Sequence, residues 1–66
     1  MEIRSPYAAM TVNERLVEAG LLDRWDTAAR ARDRAVMVAV LREVDMGELA
    51  ESTADAVLAD PAFYGF

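Results

Sequence analysis

Three acidic side chains, Glu48, Glu51 and Asp55, stand at i, i+3 and i+7, a spacing that puts them on one face of a helix. Carboxylates so placed can do acid–base work or hold a divalent cation through oxygen ligands. The di-iron bundle form of that chemistry needs a Glu-x-x-His, and the chain contains no histidine. The three acids therefore read as a solvated helix face. Nucleophilic chemistry fares no better. Ser5 and Ser52 are the only serines, and no histidine exists to activate either. With cysteine also absent, disulfides are impossible, and zinc, haem and iron–sulfur sites lose their usual ligands. The expectation is a protein that is not an enzyme, with no cofactor and no metal.

Arg24, Arg30, Arg32 and Arg34 make the one basic cluster. Guanidinium groups at this density can grip phosphate or an acidic protein, which gives an alternative reading as a nucleic-acid-binding regulator. Asp26 and Asp33 lie close enough in sequence to neutralise much of it, which favours an ion-paired connector; Asp26 and Arg30 in particular have the i, i+4 order of a helical ion pair. The region around Gly20 also fails as a DNA-binding helix-turn-helix. Leu16 stands where that motif wants a small residue four before the glycine, and Asp26 where it wants an aliphatic one six after. The net charge of −5 adds to this. Residues 1–34 are balanced, whereas residues 35–66 set six acids against Arg42 alone. Such a distribution disfavours nucleic acid and anionic lipid, and suits docking onto a basic partner.

Apolar residues carry the remaining signal. The hydrophobic fraction is 55 %, above the roughly 45–50 % usual for globular domains, so some apolar surface is expected to be left over for a partner. Trp25 shares a helical face with Leu22 and Ala29 and reads as core; the competing reading is an interface anchor. Val38, Phe63, Tyr64 and Phe66 are the candidate partner-binding residues. The three tail aromatics either fold back to close the open end of a bundle or insert into a groove on a partner.

The elements that position these residues follow from caps and periodicity. Thr11 and Glu14 have capping-box spacing, and Gly20 suits a left-handed helix end; this predicts a helix over about 11–19, with Leu16 and Val17 inward. A second helix runs over about 21–31. Extending its apolar face lands on Arg32 and Asp33, and Asp33 is a good N-cap, so a third helix is expected over about 34–44. That third helix holds the most apolar run of the chain, Ala35 to Leu41, with Val36, Met37, Val40, Leu41 and Val44 in one stripe. Its valines also suit a strand, but no comparable partner run exists to pair with it. Asp45 and Glu48 again have capping-box spacing and predict a fourth helix over about 48–59, burying Leu49, Thr53, Ala56 or Val57, and Leu58, before Asp60-Pro61 ends it. Residues 1–10 read as a flexible extension in which Ser5-Pro6 could form a turn, and Met10 is an alternative start. Residues 11–60 read as the bundle domain, and residues 61–66 as an aromatic tail.

The strings Val12-Asn13-Glu14-Arg15-Leu16, Ala19-Gly20-Leu21-Leu22-Asp23, Trp25-Asp26 and Arg32-Asp33-Arg34 resemble a set of small bacterial helical proteins of unknown function that open with Asn-Glu-Arg-Leu. The likeness spans about Met10 to Val44. It implies an all-helical cytoplasmic protein and brings no activity, cofactor or binding residue with it.

Together these readings predict an all-α fold, a small antiparallel bundle of three to four short helices wrapped around the third. A chain of 66 residues has a marginal core, and without disulfides or metal, helix packing and self-association are what remain to support it. The leading expectation is a non-catalytic interaction or accessory protein, partnered by another protein or by itself as a homo-oligomer. A small non-catalytic subunit of an enzyme complex is a further alternative. No stretch reaches the ~20 apolar residues of a membrane span, and the expected location is cytoplasmic.

Overall fold

The computed structural model describes residues 7–66 and is all-α. Four helices follow one another: α1 (Val12–Ala19), α2 (Leu22–Arg30), α3 (Arg34–Glu43) and α4 (Ala50–Ala59), with a 3₁₀ turn over Pro61–Tyr64. Among the described residues there is no strand, and the valine-rich run is helical. The expected Ser5-Pro6 turn lies outside the described residues. Upstream of α1, the Met10 N–H closes a turn on the Tyr7 carbonyl, and Tyr7 packs against the core. The folded unit thus reaches back past Thr11, into what the sequence suggested was a flexible extension.

Each helix starts and stops for a local reason. The Thr11 hydroxyl accepts from the Glu14 N–H at 3.2 Å while Glu14 accepts from the Thr11 N–H at 3.0 Å, completing the capping box. That second bond holds the Glu14 carboxyl below its usual pKa range. Asp33 caps α3 by accepting from the Val36 N–H.

The stops repeat one pattern. At the end of α1 the Leu21 N–H reaches the Leu16 carbonyl and the Gly20 N–H reaches Val17, with Gly20 left-handed at φ 72°. This is the Schellman arrangement. It recurs after α2 through Asp33 to Ala28 and Arg32 to Ala29, and after α3 through Met46 to Leu41 and Asp45 to Arg42. There the left-handed residues are Arg32 (φ 58°) and Asp45 (φ 63°), not glycine. Asp45 is therefore the stop of α3 and not the start of α4. The fourth helix begins at Ala50 with no side-chain cap.

The third helix is central, packed on α2 at one side and on α4 at the other, while α1 packs on α2. Its Met37, Val40, Leu41 and Val44 are fully buried, joined by Leu16, Trp25, Ala28, Ala29, Met46, Ala50, Ala54 and Val57. On α4 the buried stripe is Ala50, Ala54 and Val57. Small side chains there let α4 sit close to α3. Two expected core residues are outside: Val17 is 62 % exposed and Leu49 58 %. Leu16 already fills the inward side of the short α1, and a residue 100° further round the helix points away. Leu49 lies in the turn before α4, out of register with the Ala50 stripe.

Arg15 joins the first helix to the end of the third. It donates from Nε to the Met10 carbonyl at 3.1 Å and from a terminal nitrogen to the carbonyls of Val44 (3.1 Å) and Asp45 (3.3 Å). Carbonyls at a helix C-terminus lack intrahelical partners, and a cation there also meets the negative end of the helix dipole.

Candidate interaction surface

The sequence-predicted contact residues separate in the structure. Val38 is 7 % exposed and belongs to the core, so it is withdrawn as a contact candidate: α3 is covered on two sides, and its spare apolar surface is taken up by Ala35 and Ala39, which are exposed. Phe63 is 78 % exposed and Tyr64 45 %. Their rings meet edge to face with centroids 5.0 Å apart, a geometry that suits the ring quadrupoles. Phe66 divides from its neighbours and packs partly against the core. The two sequence alternatives for the tail are thus shared out among its residues.

The reason is the turn that carries them. Pro61 opens the 3₁₀ segment with its fixed φ, and left-handed Gly65 (φ 88°) closes it, with the Phe66 N–H reaching back to the Pro61 carbonyl. Reversal at Gly65 sends Phe66 inward and leaves Phe63 and Tyr64 on the rim. The Arg30 guanidinium lies over the Phe66 ring, 5.6 Å from its centroid, within cation–π range. Arg30 is engaged there, and the expected Asp26–Arg30 ion pair does not form. Arg30 sits at the end of α2, where the Phe66 ring offers it a face.

These residues border an open groove of about 900 Å³. It is lined by Val12, Asn13 and Val17 of α1, Leu22, Trp25, Asp26 and Arg30 of α2, Thr53 and Val57 of α4, and the tail aromatics. Trp25 is buried and lines the groove as a core residue. Val17, which sequence reasoning assigned to the core, is instead exposed and lines this groove. The available signal was the shortness of α1, since two turns give one inward position per turn.

The two charged constellations resolve each other. Arg34 donates from Nε to Asp55 Oδ1 at 2.6 Å and from a terminal nitrogen to Oδ2 at 3.3 Å, with Glu51 Oε1 3.7 Å away. The hydrogen bonds, with the charge attraction second, hold the Asp55 carboxyl below its usual range and raise Arg34. Glu48 lies in the turn ahead of α4 and does not share in this. Arg32 turns back onto the Ala29 and Arg30 carbonyls, so Arg30, Arg32 and Arg34 each have a separate partner, while Arg24 stands exposed on α2. The Ser52 hydroxyl donates to the Leu49 carbonyl. Among the described residues no three histidine, cysteine or acidic side chains converge as a metal site, and no helix is long and apolar enough to cross a membrane.

No protein-family model, curated protein or solved structure matches the chain.

Proposed function

We propose that this protein is a small non-catalytic interaction or accessory protein, and that it binds another protein chain in the groove between α1, α2, α4 and the tail. The observation that carries this reading is convergence. Of the four large apolar side chains exposed among the described residues, Val17, Phe63 and Tyr64 border the same groove, although the tail residues follow Val17 by more than forty positions in sequence. Scattered exposed apolar residues are ordinary; several that line one groove together with aromatics and buried core residues are the usual make-up of a contact site. Burial of that surplus is the mechanism, with Phe63 as the protruding anchor.

The test compares the full chain with a Val17→Asp/Phe63→Ser variant, by size-exclusion chromatography with light scattering and by pull-down from the native lysate. The unchanged chain is expected in an assembly, and the variant alone at the same unfolding midpoint. A solitary chain in both experiments, or an assembly indifferent to the two substitutions, refutes the reading.

A further inference from the structure

The geometry points to a second copy of this chain as the occupant of the groove, in a two-fold dimer held by reciprocal Asp26–Arg30 pairs and mutual insertion of Phe63. The inference rests on the groove being an interaction site and specifies what fills it.

Charge decides between a copy and a foreign partner. The chain's acidic excess resides in Glu43, Asp45, Glu48, Glu51, Asp55 and Asp60, and none of these lines the groove. The groove's charged side chains are one acid, Asp26, and one base, Arg30, which balance each other. A basic partner drawn by the acidic half would settle elsewhere, on α4 or the turn before it. A surface whose side chains carry one charge of each sign fits a surface with the same two charges.

Placement makes that fit symmetric. Asp26 and Arg30 sit one helical turn apart on α2. A two-fold axis crossing α2 between them lays two copies of the helix antiparallel, so Asp26 of each protomer faces Arg30 of the other. An isologous interface needs a patch that is its own complement. This patch has both halves of the apolar complement, a highly exposed ring (Phe63) and a groove with Val17 and Val57 in its lining to receive it. Neither charge is taken by an ion pair within the described chain, since the recorded bridges are those of Arg34. Arg30 can keep its place over Phe66 while its edge donates outward, because a guanidinium stacks through its face and hydrogen-bonds through its rim.

Sedimentation equilibrium tests this on the full chain, on Asp26→Arg, on Arg30→Asp, on an equimolar mixture of those two variants, and on Phe63→Ser, with urea midpoints to confirm that each folds. The unchanged chain is expected to dimerise. Each charge reversal sets like charges together and weakens the dimer about ten-fold or more. The mixture opposes two bases with two acids and restores association as a heterodimer, an effect that altered folding of either variant does not produce. Phe63→Ser weakens the dimer without moving the midpoint. A monomer at millimolar concentration, or a mixture no tighter than its components, overturns the second copy. If the chain is monomeric yet captures a foreign protein that Val17→Asp/Phe63→Ser loses, the dimer is refuted and the interaction reading stands. A dimer indifferent to every groove substitution refutes both.

Discussion

The run from Val36 to Val44 and the tail from Phe63 to Phe66 are the two richest apolar stretches of the chain, and the fold treats them in opposite ways. The run supplies Met37, Val40, Leu41 and Val44, all fully buried, and even Val38 on its flank is covered. The tail has the larger side chains and leaves two of its three rings outside. Side-chain hydrophobicity is thus not what separates them. A helix lying between two others can bury a wide arc of its surface, whereas a four-residue turn closing on left-handed Gly65 has one inward position. The tail thus leaves two rings outside, whereas of its apolar side chains the run leaves only Ala39 and part of Val36 uncovered.

The sharpest way to break the comparison is to truncate one residue from each stretch. Leu41→Ala should lower unfolding free energy by about 2–5 kcal/mol, read from urea denaturation, and Phe63→Ala should change it by no more than about 0.5 kcal/mol. Equal losses would mean that the tail is core. Next in size is Arg15→Gln, which uncaps the end of the run. With the Val44 and Asp45 carbonyls left without their charged donor, a loss of about 1.5–2 kcal/mol is expected, with faster hydrogen exchange at the α3 C-terminus as the local signature. Phe66→Ala tests the border between the two regions. It removes a partly buried ring and the Arg30 stack, and should cost about 1–2 kcal/mol, midway between its neighbours.

The smallest effect concerns the clamp on the outer side of α3. Because the folded-state pKa of Asp55 is depressed, its pairing with Arg34 contributes in full above the unfolded carboxyl value and is lost as pH falls through the folded one. Stability of the unchanged chain should therefore exceed that of Asp55→Asn at neutral pH, and the gap should narrow as the pH falls below the ordinary carboxylate range and through the depressed folded-state value. Urea midpoints across that range measure it. Solvent exposure of both groups keeps the difference small.

Much of this was legible in residue order. The Thr11–Glu14 box, the Gly20 stop and the Asp33 cap are read from side chains within a turn of where they act, and they place three helices to within a residue or two. The start of α4 was misplaced because Asp45 and Glu48 satisfy a capping spacing that the chain uses differently: Asp45 takes the left-handed position that ends α3. No glycine marks that stop, nor the one at Arg32, and a Schellman turn built on other residues has no signature in composition. The candidate contact surface was half legible. Phe63, Tyr64 and Phe66 were visible as an aromatic tail, but their division was not, and Val17 and Val38 exchanged places between core and surface.

Order and spacing by themselves determined the all-α class, the number of helices and most of their ends, because those rest on backbone hydrogen bonds and caps spanning three to five residues. Only the tertiary structure decided which apolar side chains are covered, that Arg34 belongs to Asp55 and Glu51 while Arg30 belongs to Phe66, and that Val17 meets the tail across a groove. Those outcomes depend on which helix faces meet. Contacts between residues about seventeen to fifty positions apart are set by how the helices pack, and no local rule contains them.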